Sequence, residues 1–263
     1  MTRLKDAYFA REAPRDAESE RLRLLNGFYA EPTQTWLSAA VDLRPGMAIL
    51  EVGAGSGGML AWFGEQTGPD GDVLGLDIDL SRAAPPTPPV RHLQADLYAP
   101  PAEPEAFDLV YARLVLMHLP DPEAALTALA AWLKPGGVLA VADLDCSTCR
   151  PVDPQAPGAD AFTQALDTVR AAMADSALMD PAFGARLPEL VAGAGFQAVQ
   201  VRRLDRVIEG GSDWARFIAH NNEMIGPAAG VESAAALVAS RMRDPAVRFH
   251  DQTLVCVTAR KPG

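Results

Sequence analysis

The run Met47-Ala48-Ile49-Leu50-Glu51-Val52-Gly53-Ala54-Gly55-Ser56-Gly57-Gly58 decides the fold. Its first half is an apolar stretch of strand length, entered through the turn Arg44-Pro45-Gly46. It passes without interruption into glycines, and Met59 to about Thr67 then reads as a helix. Glycines at a strand-to-helix turn let the backbone bend sharply and let a ligand approach its N–H groups. The turn alone has three readings. Gly53, Gly55 and Gly58 satisfy the dinucleotide pattern G-x-G-x-x-G, other nucleotide cofactors use similar turns, and a turn of this kind also occurs with no ligand. Asp77, at the end of the next strand, is an acceptor for ribose hydroxyls with either kind of cofactor.

Outward from this run, strands and helices alternate. Strands are predicted at Asp72–Asp77, Val90–Gln94, Phe107–Tyr111 and Gly137–Ala142. Between the last two lies a helix with Asp121 as its cap, Pro122 in its first turn, and an apolar stripe of Ala125, Leu126, Leu129, Trp132 and Leu133. Lys134-Pro135-Gly136-Gly137 stops it. Such alternation predicts a parallel sheet covered on both faces. Residues 1–43 read as N-terminal helices, the second over Thr33 to Val41. Two segments, 145–190 and 211–245, read as helical cap or lid insertions, with helices near 159–174 and 185–194 and late strands near 197–207 and 252–260. No repeat interrupts the chain, and 1–263 reads as a single domain. The stretch Ala83-Ala84-Pro85-Pro86-Thr87-Pro88-Pro89 cannot be a helix.

Composition narrows the partners. The chain has 263 residues, 49% of them hydrophobic and 22% charged, which is ordinary globular usage. Its net charge is -11 and no basic stripe is present, so nucleic acid and anionic membranes are poor partners. Met1-Thr2-Arg3-Leu4-Lys5-Asp6 is unlike a signal peptide, no apolar run reaches membrane-spanning length, and the three cysteines make no disulfide framework. A cytoplasmic protein is the expectation, with a homodimer left open. Cys146-Ser147-Thr148-Cys149 has half the spacing of a zinc or redox site but no second pair, so no metal is predicted.

Further features distinguish the readings of the glycine turn. Glu51 places an acid just ahead of the first glycine, and Asp96 follows the third strand in Leu93-Gln94-Ala95-Asp96-Leu97. Phe107-Asp108-Leu109-Val110-Tyr111-Ala112-Arg113 and Leu133-Lys134-Pro135-Gly136-Gly137-Val138-Leu139 then appear in order. With these motifs the chain, from about Glu20 to Asp145, closely resembles the class I, Rossmann-like S-adenosylmethionine-dependent methyltransferases that act on small molecules. The resemblance implies an α/β doubly wound, seven-stranded, mostly parallel sheet of order 3-2-1-4-5-7-6 with its last strand antiparallel. It implies S-adenosylmethionine as cofactor and S-adenosylhomocysteine as product. Residues Gly53, Ala54, Gly55 and Gly57 would pack under the methionine part of the cofactor, with Glu51 nearby. Asp77 would bind the ribose, Ile78 would contact the adenine, and Asp96 and Leu97 would frame its edge. Ala112 would offer its carbonyl to the ammonium, and Arg113 would reach the methionine carboxylate or a substrate anion, or serve a surface or structural ion pair. The chain departs from the family between its second and third strands, where Ser81 to Pro89 replaces the usual helix and thins the adenine-side wall.

Methyl transfer asks mainly for alignment and exclusion of water, plus removal of a proton where the nucleophile is a hydroxyl or a protonated amine. His118, just past the fourth strand, reads either as that base or as a packed structural histidine. In the helix Ser212 to Ile225, the residues Trp214, Phe217, Ile218, Met224 and Ile225 form an apolar face. Asn221 falls at its centre, either tying the helix down or meeting substrate, and His220 sits at its border, either solvated or a base. The favoured activity is methylation of oxygen, then nitrogen or carbon, on a small organic acceptor. The alternatives are a non-methylating use of the bound cofactor, for cyclisation, rearrangement or binding, and, more remotely, a nicotinamide oxidoreductase.

Overall fold

In the computed structural model the described residues are 15–81, 83–99, 104–176 and 179–263. They form two compact units, between which the chain passes more than once. The larger is built from residues 19–143, 186–202 and 255–263, and the other mainly from 144–185 and 203–254.

The larger unit holds the sheet. After helix α1 (Arg15–Ala40) come β1 (Ala48–Val52), α2 (Leu60–Thr67), β2 (Asp72–Asp77), β3 (Val90–Gln94), β4 (Phe107–Arg113), α3 (Pro122–Trp132) and β5 (Leu133–Asp145). Helix α5 (Phe183–Gly193), β7 (Gln197–Leu204) and β10 (Thr253–Arg260) complete it. The strand order is β3-β2-β1-β4-β5-β10-β7, with β1 parallel to both β2 and β4. Counting the long strands alone, this is the doubly wound order 3-2-1-4-5-7-6, and the last strand is antiparallel. Strand β1 is buried from Ile49 to Val52, as a strand must be when both of its faces are covered. Helix α2 packs so closely on β2 that a Cβ at Gly75 would lie 2.6 Å from Leu60 Cδ1.

Two boundaries differ from the sequence reading. The N-terminal region is one helix from Arg15 rather than two, and residues 1–14 lie outside the described residues. It continues through Pro32 because Tyr29, Thr33, Trp36 and Leu37, all buried, line one face across the proline. Strand β5 begins at Leu133, earlier than Gly137. Its register against β4 jumps between Phe107↔Leu133 and Leu109↔Val138, so Lys134-Pro135-Gly136-Gly137 is a bulge within the strand. Helix α3 is as expected, with Asp121 Oδ1 accepting the Ala124 N–H at 2.9 Å.

The other unit is mostly helical: α4 (Ala159–Asp175), α6 (Asp213–Ala229) and α7 (Glu232–Arg243) pack on one another. The residues expected as cap insertions, 145–190 and 211–245, supply these helices together with α5. Gly226 brings α6 against α7, since a Cβ there would lie 2.7 Å from that of Ala235. A small antiparallel sheet of β6 (Arg150–Pro151), β9 (Arg248–His250) and β8 (Val207–Glu209), absent from the sequence reading, joins them. Its polar centre is the buried Asp251, whose Oδ2 accepts from Trp214 Nε1 at 2.7 Å and Arg206 Nη2 at 3.0 Å.

Candidate functional site

In an open α/β sheet the ligand crevice lies beyond the carboxyl ends of the strands, where the order reverses. Here that point lies between β1 and β4. The turn after β1 is pinned to β2, because Gly53 and Ala54 donate their N–H groups to the Leu76 carbonyl at 2.8 and 3.2 Å. Gly53, Gly55 and Gly57 all have positive φ, the region an L side chain rarely adopts. At Gly53 a Cβ would also lie 2.3 Å from Val115 Cγ2.

Asp77 ends β2 beside this turn. Its Oδ2 accepts the Gly55 N–H at 2.8 Å and its Oδ1 accepts the Asp79 N–H at 2.9 Å. Each carboxylate oxygen retains a lone pair for a further donor. Burial pushes this carboxyl above its ordinary range, and the N–H groups of Asp79 and Gly55 pull it back. Ile78 follows it, half-buried. Beyond β3, Asp96 Oδ1 accepts the Tyr98 N–H at 3.0 Å, Leu97 is buried, and the Tyr98 hydroxyl donates to the Asp121 carbonyl at 2.9 Å. In place of the usual helix between β2 and β3, a proline-rich loop packs on α2, with Pro89 Cδ 3.7 Å from the Cβ position of Gly64. Between loop and helix runs an open groove of about 490 Å³, lined among others by Ser56, Leu60, Gly64 and Pro86.

Glu51, buried in β1, has no hydrogen-bond partner for Oε2 among the described residues. Burial raises its carboxyl to about 8, against the pull of the Arg113 guanidinium and with a further push from Asp77. A buried acid lacking a partner is a place for a cationic group, so the residues present fit the ammonium of an amino-acid ligand. Ala112 is buried next to Arg113. Arg113 Nη2 donates to Asn26 Oδ1 at 2.5 Å and Nη1 donates to Thr33 Oγ1 at 3.3 Å, both on α1. Asn26 Nδ2 in turn donates to Ser56 Oγ at 2.8 Å. Sequence reasoning missed Asn26, Thr33 and Ser56. A signal existed in the two-turn spacing of Asn26 and Thr33, which places them on one helix face.

His118 closes a 3-10 turn, Leu116–His118, and is half-buried. In β5, the fully buried Asp143 lies by the backbone N–H groups of Met117, Leu116 and Val115 without reaching hydrogen-bond geometry. Burial holds that carboxyl well above its ordinary range. The structure thus brings together Glu51, the glycine turn, Asp77 and Arg113, through the Gly55–Asp77 hydrogen bond and the charge that Arg113 and Asp77 exert on Glu51. His220 and Asn221 belong to the helical unit. The His220 side chain is 57% exposed and stands 3.9 Å from Glu223. The centre of the apolar face of α6 is Asn222 rather than Asn221: Asn222 is buried, and its Nδ2 donates to the Ile218 carbonyl at 2.9 Å. A stripe stepping by four from Trp214 through Ile218 reaches 222, so the sequence reading was rotated by one residue. Asn221 is half-buried, and its Oδ1 has no hydrogen-bond partner among the described residues.

Cys146 and Cys149 are buried in the helical unit, and burial pushes both thiols up, away from reactivity. Among the described residues no cluster of His, Cys, Asp or Glu is arranged to hold a metal, and no helix is long and apolar enough to cross a membrane.

The chain is similar to known methyltransferases in sequence and in fold. A family profile described as a methyltransferase domain matches residues 14–201. The chain is 37% identical to methyltransferase str2 of Strobilurus tenacellus over 63% of its own length and 59% of that protein's. It is 33% identical to methyltransferase str3 of the same organism over 73% and 68% of the two lengths. Among solved structures, Haemonchus contortus phosphoethanolamine N-methyltransferase 2, in complex with phosphomonomethylethanolamine and S-adenosylhomocysteine, shares the fold. Its TM-score is 0.61 at 14% identity, covering all of this chain and 61% of that one.

Proposed function

Because the chain belongs to the class I S-adenosylmethionine-dependent methyltransferases, we propose that it transfers a methyl group from that cofactor to a small organic acceptor. The observation that carries this reading is the buried, unpartnered Glu51 beside a glycine turn that Asp77 holds in place.

S-adenosylmethionine supplies a methyl group already activated on a sulfonium, so the protein's part is to bind, align and keep water out. Glu51 holds the ammonium and Asp77 the ribose hydroxyls. Ala112 contributes its carbonyl, Ile78 contacts the adenine, and Asp96 and Leu97 frame its edge. The turn through Gly53, Ala54, Gly55 and Gly57 presents backbone where a side chain would obstruct. Arg113 is the cation available to a carboxylate. The pocket wall at 84–89 is a loop and not a helix, and adenine recognition therefore leans on Ile78, Asp96 and Leu97.

For an oxygen acceptor, the favoured class ahead of nitrogen and carbon, His118 takes the proton as the bond to carbon forms. His220 and Asn221 are proposed for the acceptor, within the segments 145–190 and 211–245 that we assign to acceptor recognition. The net charge of -11 supports a small molecule over nucleic acid. The buried, non-disulfide cysteines accord with a reducing compartment, which supports the cytoplasm.

The test is to incubate purified protein with S-adenosylmethionine and a panel of phenols, carboxylic acids and amines, and to follow S-adenosylhomocysteine and methylated product by mass spectrometry. The reading predicts both products in equal amount with at least one acceptor class. Consumption of an acceptor with the cofactor recovered intact would instead support the non-methylating use.

A further inference from the structure

Arg113 is held in an unusual way for a half-buried cation. Its two described side-chain partners, Asn26 and Thr33, are both neutral, at 2.5 and 3.3 Å. Glu51, whose carboxyl feels the Arg113 charge, makes no hydrogen bond to it and keeps an orphaned oxygen. The guanidinium fork is therefore aimed but not neutralised, and it has five N–H donors of which these contacts use only part. A cation and an acid kept apart in this way are complementary to the two ends of an α-amino acid.

The aim comes from α1. Asn26 and Thr33 lie two turns apart on one face of that helix, so a single rigid element sets both contacts. Asn26 also reaches the glycine turn through Ser56 Oγ at 2.8 Å. The approach is tight: a Cβ at Gly58 would lie 2.7 Å from both Asn26 Cγ and Asn26 Nδ2. Gly58, which completes a dinucleotide pattern in the sequence, thus has a different task here. It clears the space through which Asn26 bridges the turn to Arg113.

We infer that Asn26 is a positioning residue that makes the site read the amino-acid end of its cofactor: it fixes Arg113 with a neutral acceptor, leaving the full positive charge for a carboxylate. This rests on the proposed function, since it assumes an S-adenosyl ligand. An aspartate at this place would still accept from Arg113, and from the Ser56 hydroxyl where Asn26 donates to it, but it would pair with Arg113 and compete with the ligand. Neutrality at position 26 is as important as its reach.

The experiment compares two probes by calorimetry, S-adenosylhomocysteine and 5′-deoxy-5′-methylthioadenosine. They share the nucleoside thioether, and only the first carries the amino acid. Against wild-type protein, Asn26→Ala should weaken S-adenosylhomocysteine by about tenfold, the scale of one hydrogen bond to a charged group, and leave methylthioadenosine unchanged. Asn26→Asp should weaken S-adenosylhomocysteine further, again without effect on methylthioadenosine. Gly58→Ala should reproduce the Asn26→Ala pattern by displacing the amide. Undiminished S-adenosylhomocysteine binding in Asn26→Asp would overturn the inference, as would equal losses for both probes, which would mark Asn26 as merely structural. Wild-type protein that binds neither probe would overturn the proposed function and this inference with it. Wild-type protein that binds both probes with one affinity would overturn the inference, and the ammonium role given to Glu51, while leaving the S-adenosyl cofactor itself in place.

Discussion

Asp77 and Gly55 meet across 22 residues of sequence through a 2.8 Å hydrogen bond in which the carboxylate accepts the glycine N–H. The acid proposed to bind the ribose is therefore also the latch of the turn beneath the cofactor. If it does bind the ribose, ligand affinity and local order depend on one side chain. Asp77→Ala should weaken S-adenosylmethionine binding by about 1.5–3 kcal/mol, the range for hydrogen bonds to a charged group. Calorimetric titration of the folded variant checks this, and wild-type affinity would remove Asp77 from the site.

Glu51 makes the protein sensitive to pH. Its carboxyl is raised from an ordinary 4.5 to about 8 by burial, which outweighs Arg113, while Asp77 adds to the rise. The native state then holds a proton that the unfolded state releases, so stability falls as pH rises from about 4.5 to 8. A ligand ammonium beside Glu51 favours the ionised form, so binding releases that proton. Affinity for S-adenosylhomocysteine should therefore rise between about pH 6 and 8, and Glu51→Gln should flatten both profiles. Titrations and urea melts across this range supply the check. An affinity independent of pH in the wild type would place the ammonium elsewhere.

Gly53 is required twice over, by φ +70° and by Val115 Cγ2 2.3 Å from where a Cβ would stand. Gly53→Ala should destabilise the protein by about 2–5 kcal/mol, combining left-handed strain with overpacking. A urea midpoint equal to that of wild type would mean that the turn relaxes freely.

His118 and His220 differ in setting, one half-buried in a 3-10 turn of the sheet unit and the other mostly exposed on α6. If His118 takes the acceptor's proton, His118→Ala should lower turnover by about a hundredfold or more with little change in cofactor affinity. His220→Ala should alter the acceptor KM more than kcat. An unchanged rate in folded His118→Ala protein would return that histidine to packing.

What the sequence disclosed depended on locality. The turn Gly53–Gly58, Asp77 at the end of β2, and the Asp121 cap of α3 are each written in a few adjacent residues, and each lies where it was read. The small sheet was not legible because its strands, Arg150–Pro151, Val207–Glu209 and Arg248–His250, are too short to show alternation. Helix α1 was read as two helices, the second over Thr33 to Val41, whereas the buried Tyr29, Thr33 and Trp36 share one face across Pro32. The Arg113–Asn26–Ser56 bridge joins residues 87 and 30 positions apart, and no local pattern announces such a contact. Asn222 was missed for Asn221 because one residue turns a helix by about 100°, which is enough to exchange a buried amide for its neighbour.

Isothermal titration of the wild-type protein with S-adenosylmethionine and S-adenosylhomocysteine, with NAD as control, tests the central claim most directly. Saturable binding of both S-adenosyl ligands at one site per chain, and none of NAD, is the expected result. Binding of NAD alone, or of none of the three, would contradict the assignment of Glu51, the glycine turn and Asp77 to this cofactor.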